Sequence, residues 1–147
     1  MRRFNFLCVA AAFATALTMG QPALAEIGRI KSHVGDVKIL RDGRSFVARS
    51  GFKLEEGDVI ATGKSARVGI SFLDNTRMAV GPASRVTLEQ FKYDRSRQRG
   101  SSITNLNRGS LGVVSGNVAK SGKDAMRVRT PTSMLGVRGT KFVVEVK

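Results

Sequence analysis

Apolar and polar residues alternate with a period of two through most of this chain, in runs too short for helices. Val37 and Ile39 alternate with Asp36 and Lys38. Val68, Ile70 and Phe72 alternate with Arg67, Gly69 and Ser71. Met78 and Val80 follow, then Val86 and Leu88 between Arg85, Thr87 and Glu89, and later Met126 and Val128 between Arg127 and Arg129. Successive strand side chains point to opposite faces, so this pattern describes strands with one dry face and one wet face. Turn chemistry separates the runs: Asp42-Gly43, Asp74-Asn75, Gly81-Pro82, Asn107-Arg108-Gly109, Ser115-Gly116-Asn117 and Ser121-Gly122. Each pair or triplet suits a tight reversal or a left-handed backbone. Asp42-Gly43 is the best hairpin candidate, joining Val37–Leu40 to Phe46–Ala48. No long amphipathic helix is expected; Glu55-Glu56 or residues 94–99 could hold at most a helical turn. Residues 94–102 are the most polar stretch, read as a long exposed hairpin loop. The fold class is therefore all-β: one domain of many short strands, closed as a sandwich, barrel or solenoid-like roll. Loose similarity among residues 66–73, 76–80 and 85–91 hints at stacked rungs, without a regular repeat.

The N-terminus reads as an address. Arg2 and Arg3 are followed by a 16-residue uncharged run, Phe4 to Met19, short of the ~20 residues needed to cross a bilayer. Gln21-Pro22 breaks that run, and Ala23-Leu24-Ala25 offers small residues for cleavage between Ala25 and Glu26. Residues 1–25 are expected to be a signal-peptide helix. Cleavage leaves residues 26–147 as the mature domain, 122 residues (147 less the 25 removed). The expected location is the periplasm or the exterior, with no stable membrane span after cleavage. The single cysteine, Cys8, leaves with the signal. The mature domain then has no disulfide and relies on its core, which a chain of this size can supply.

Charge narrows the partners. The chain carries 25 Lys+Arg against 11 Asp+Glu, net +14; two arginines leave with the signal, so the mature charge is +12. Such a surface attracts polyanions and anionic membranes at low salt. Arg127 and Arg129 share one strand face, and Arg95, Arg97 and Arg99 cluster in the polar hairpin. These five are the candidate contacts to an envelope protein or an anionic cell-surface polymer. Nucleic acid is disfavoured by the compartment. Phe72 and Phe142 fit core positions and so do not form a base-stacking platform.

Catalysis has little to build on. His33 is the one imidazole and is expected on an exposed strand face. A paired-carboxylate centre would have to draw on Glu55, Glu56 and Asp58, but Glu55-Glu56 are adjacent in a turn-like stretch and read more simply as solvated surface. Gly57 to Ser65 ends like a phosphate loop but has five residues between its glycines where the motif needs four, and Val59-Ile60-Ala61 reads as a strand. No catalytic residue, metal ligand or cofactor is expected.

Two segments resemble the FecR-type domain, named for the ferric citrate regulator. The first is Leu54-Glu55-Glu56-Gly57-Asp58-Val59-Ile60-Ala61-Thr62-Gly63, followed by the strand Ala66–Leu73. The second is Arg129-Thr130-Pro131, then Leu135-Gly136-Val137-Arg138-Gly139-Thr140-Lys141-Phe142-Val143-Val144. Gly35 to Arg41 and Gly109-Ser110-Leu111 are also similar, so the likeness spans about residues 28–146. The resemblance marks Gly57, Asp58, Thr62, Pro131, Gly136, Arg138, Gly139, Thr140 and Phe142 as motif positions, structural in role. Gly57-Asp58 should form a turn whose carboxylate accepts backbone hydrogen bonds. Gly136 and Gly139 should bracket a bulge or bend. Arg138 is expected to be partly buried, bonded to carbonyls or to Asp58.

FecR-like regulators join a cytoplasmic anti-sigma segment, a membrane span and a periplasmic domain that senses an outer-membrane transporter. Only Met1-Arg2-Arg3 precedes the apolar run here, so direct sigma-factor control is not expected. The resemblance implies a stand-alone exported module that binds a protein partner or an anionic envelope polymer. The alternative is a sensory component relaying transporter state to a separate regulator. Oligomeric state is left open by the sequence.

Overall fold

The computed structural model describes residues 24–139 and 141–147. The apolar segment read as a signal lies outside the described residues, apart from Leu24 and Ala25, and so does Thr140. Twelve strands and one helical turn follow in order: β1 (Glu26–Val34), β2 (Val37–Arg41), β3 (Arg44–Val47), β4 (Lys53–Glu55), β5 (Val59–Thr62), β6 (Arg67–Phe72), β7 (Arg77–Val80), β8 (Arg85–Asp94), β9 (Arg99–Val114), α1 (Asn117–Lys120), β10 (Met126–Arg129), β11 (Met134–Val137) and β12 (Lys141–Val146). The all-β expectation holds, and the alternation maps onto burial: Val68, Ile70 and Phe72 are buried, and Arg67 is exposed.

The strands form one curled sheet whose two halves share β9. The first part of β9 pairs with β8 and, in parallel, with β10; its last residues pair with β7 and β12, both antiparallel. One half therefore runs β3-β2-β5-β8-β9-β10-β11, and the other β4-β1-β6-β7-β9-β12. The halves face each other across one core. Ile30, Val68, Ile70, Met78 and Val80 come from one side, and Ile39, Ile60, Val86, Leu88, Leu106, Met126 and Val128 from the other. Phe72 stacks on Phe91 across this core at 5.3 Å between ring centroids. The closure is a sandwich-like roll; β6 and β7 are antiparallel neighbours rather than stacked rungs.

Gly109 sits where β9 passes from one half to the other. Its φ is +90°, and a Cβ there would run into Ser84. Only glycine meets both conditions cheaply. The Asp42-Gly43 hairpin forms as expected: both residues have positive φ, 49° and 74°, and Arg41 pairs with Arg44 across a two-residue turn.

Two expectations are corrected. Residues 94–102 are not a long loop, because β8 and β9 stay paired out to Asp94 and Arg99, leaving a turn at 95–98. A ladder is made by backbone groups, so polar side chains do not end it where the hairpin projects from the core. The helical turn lies at neither place anticipated; it follows Gly116. The buried Asp74 carboxylate accepts from the Val118 N–H at 3.0 Å, from the Thr76 N–H at 3.0 Å and from the Thr76 hydroxyl at 2.7 Å. Thr76 Oγ1 in turn accepts from the Gly116 N–H at 3.0 Å. This network pins α1 to the β6–β7 hairpin.

Candidate functional site

The Gly57-Asp58 turn is built around a buried ion pair. Gly57 has φ +91°, and its N–H donates to the Leu88 carbonyl at 2.7 Å. Asp58 is fully buried. Its Oδ2 accepts from the Glu55 N–H at 2.9 Å, as the turn reading requires. Its cationic partner is Arg41, at the end of β2. Arg41 Nε donates to Oδ1 and Nη2 to Oδ2, both at 2.7 Å. Arg41 also donates to Glu55 Oε1 at 2.8 Å and to the Lys53 carbonyl at 3.0 Å. Its guanidinium lies 5.9 Å from the Phe46 ring centroid and 5.6 Å from that of Phe52. The fork geometry suits a carboxylate, and the two rings cover the cation. The Asp58 hydrogen bonds raise the Arg41 pKa above the usual arginine value, against the opposing effect of partial burial.

Arg138 does not take that role. It is exposed, beside Ser115, Ala119, Lys120 and Gly139 at an open hollow. Asp58 is satisfied from β2, and Arg138 follows β11 in a different part of the sheet.

Of the other described motif positions, Thr62 lies in β5, Pro131 between β10 and β11, Gly136 in β11, Gly139 after it and Phe142 in β12. The Thr62 hydroxyl donates to the Gly81 carbonyl at 2.7 Å and accepts from the Ser84 N–H at 2.9 Å, fixing the turn between β7 and β8. Thr130-Pro131 begins the β10–β11 hairpin: the Thr130 N–H donates to the Ser133 carbonyl at 2.8 Å, and Pro131 is exposed. Gly136 lies in β11, where a Cβ would strike the Asp124 carboxylate; Gly139 has open space around it. The segment between them leaves β11 at Val137 and bends at Gly139, so of the expected bulge or bend it is the bend. Phe142 on β12 is half-buried and packs against the core.

The cationic candidates fall into two groups. Arg127 and Arg129 lie on β10 with their side chains on the outer face, Met126 and Val128 pointing into the core. Arg129 Nη1 is 3.2 Å from Glu89 Oε2 on β8, and Asn105 Nδ2 on β9 donates to Glu89 Oε1 at 3.1 Å. Arg127 has no ion-pair partner among the described residues. Arg95, Arg97 and Arg99 are exposed at the far end of the β8–β9 hairpin. There, Asp94 accepts from Ser96 Oγ at 2.6 Å and from the Ser96 and Arg97 N–H groups. The Ser96 hydroxyl, then the Arg97 amide, hold the Asp94 carboxyl below the usual aspartate range. Arg95 lines a surface hollow with Arg29 and Lys31 of β1.

Sequence reasoning missed the cations that register adds to the Arg127–Arg129 face. Lys38 on β2 pairs with Ala61, Ala61 with Arg85 on β8, and Arg85 with Arg108 on β9. Residues in one cross-strand row share a face. Lys38, Arg85 and Arg108 thus line up on the outer face, all exposed. Arg85 and Arg108 stand directly opposite, and neither has an acidic partner among the described residues. The only usable signal was the alternation at Arg85; which strand lies beside it was not in the local pattern. His33 is exposed on β1, as expected.

A family profile described as FecR protein matches residues 58–147, beginning at the buried aspartate. Gly35–Arg41 and Leu54–Gly57 lie outside that range, although β1–β4 are integral to the sheet. Neither a search of curated proteins nor one of solved structures gave a match. The profile covers well over half of the chain, and the chain belongs to the FecR family.

Proposed function

We propose that this protein is a non-catalytic exported module that binds an anionic envelope partner through the outer face of the β2-β5-β8-β9-β10 sheet half. Family membership supports a periplasmic sensory or signalling role in general. The observation that carries the finer reading is the juxtaposition of Arg85 and Arg108, joined on the same face by Lys38, Arg127 and Arg129. Like charges directly opposite on neighbouring strands destabilise a sheet. Arg129 is paired with Glu89, and Lys38 lies 3.8 Å from Asp36, but Arg85, Arg108 and Arg127 have no acidic partner among the described residues. Such a group is better understood as awaiting negative charge from outside than as a device for stability. Half-buried Leu40, Val59 and Ile103 lie on the same sheet half and offer apolar contact between the charges. The motif residues Asp58, Thr62 and Pro131 hold the scaffold and take no part in chemistry. Cleavage between Ala25 and Glu26 would leave β1 whole, which fits export of residues 26–147.

Retention of the protein on purified cell-wall polymer and on lipopolysaccharide tests this reading. Retention should fall steeply as salt rises, because exposed charge contacts are screened. Changing Arg127 and Arg129 to Glu should abolish it at moderate salt, and Arg85 and Arg108 to Glu should do the same. Retention indifferent to both salt and these variants would sink the proposal.

A second reading draws on the family: the module relays the state of an outer-membrane transporter to a separate regulator. Co-purification with a transporter from envelope extract, lost in the Arg127/Arg129 variant, would favour it.

A further inference from the structure

β12 has β9 as its one sheet neighbour among the described residues, so its other edge presents unpaired backbone groups. Natural sheet edges are blunted by short length, proline, bulges, covering segments or charged side chains. The other edges follow that rule: β3 has 4 residues, β4 has 3, and β11 has 4 with Gly136 inside. β12 is 6 residues long, Lys-Phe-Val-Val-Glu-Val, with no proline. Its protection against pairing rests on the charges of Lys141 and Glu145 alone, which a second copy of the same strand can match. Val143 on its outer face is 77% exposed. Lys141 and Glu145 flank it on that face, both exposed, with no ion-pair partner among the described residues.

We propose that β12 is a homodimerisation edge, at which a second copy of this chain adds its own β12 antiparallel with Val143 on the two-fold axis. The register follows from strand geometry. Antiparallel partners must both turn their backbone groups toward each other or both away, so a two-fold pairing centres on a residue. Centred on Val143, Lys141 of each copy stands opposite Glu145 of the other, Phe142 opposite Val144, and Val143 opposite its own equivalent. Centred on Phe142, Glu145 would instead face Gly139; centred on Val144, Lys141 would face Lys147. Only the Val143 register pairs every charge of β12 with its opposite and sets the exposed Val143 against its own equivalent. A two-fold interface uses the same patch on both copies, and this six-residue sequence is complementary to itself in that way. The joined sheet would continue the outer row Gly69-Ala79-Gly112-Val143 into the second copy.

Sedimentation equilibrium of the purified protein, over concentrations reaching the high micromolar range, reads the dimer directly. Val143→Lys puts two ammonium groups on the axis and should weaken the dimer at least about tenfold. Lys141→Glu and Glu145→Lys should each weaken self-association. The double variant should restore it, and an equimolar mixture of the two single variants should form a heterodimer. All three positions are on the exposed face, and circular dichroism checks that each variant keeps its sheet. A monomer at every concentration would overturn the proposal. So would a dimer indifferent to these changes, which would place the contact elsewhere, for example at exposed Met134 and Leu135 on β11.

Discussion

Removing the Arg41 guanidinium would leave the Asp58 carboxylate buried with only an N–H from Glu55 to satisfy it. Breaking a buried pair by taking one partner typically costs about 3–5 kcal/mol, because the remaining charge is uncompensated. Arg41→Ala and Asp58→Ala should each lower unfolding free energy by about 3 kcal/mol in urea titrations. Arg41→Lys should recover little, since an ammonium cannot make the fork. Asp74→Ala strands the Val118 and Thr76 amides and should cost about 2–3 kcal/mol by the same measurement. The role of Asp58 was legible in Gly57-Asp58, because turn chemistry is local. The identity of its cation was not. Arg41 and Arg138 both belong to segments that resemble the family, and only the pairing of β2 with β5 brings Arg41 alongside.

Elements were the most legible scale. The alternation located β2, β6, β7, β8 and β10, since burial on one face is what makes a period of two. The polar tip of the β8–β9 hairpin escaped because a ladder can continue without apolar side chains. Its turn rests on Asp94, and that sets a pH dependence. The Asp94 carboxyl titrates below the usual aspartate range when folded. Its contribution is therefore present above that range and lost as pH falls through the depressed folded value. Ser96 and Arg97 amide exchange, measured by NMR, should lose protection on acidification before the core amides do. Glu26 behaves alike, held down first by its hydrogen bond to Arg29. At the switch within β9, Gly109→Ala combines a positive-φ penalty with collision against Ser84. It should cost about 2 kcal/mol or more, read as a lower melting temperature.

At the scale of the whole molecule, most pairings join strands distant in sequence: β1 with β6, β5 with β8, β7 with β9. Loop closure must precede such contacts, so refolding should take milliseconds to seconds. Stopped-flow fluorescence of Tyr93 would check this; a microsecond phase carrying the full amplitude would contradict it. By itself the sequence determined the all-β class, the Asp42-Gly43 hairpin, the family and the strongly basic surface. Those properties depend on composition, turn residues and the period of two, all readable within a few neighbours. Tertiary structure alone decided the partner of Asp58, the pinning of α1 by Asp74, the opposed Arg85–Arg108 pair and the free edge of β12. Each of these depends on which strand lies beside which, and backbone hydrogen bonding lets any strand accept almost any neighbour. The choice among neighbours is made by closing one core, which no local stretch of sequence contains.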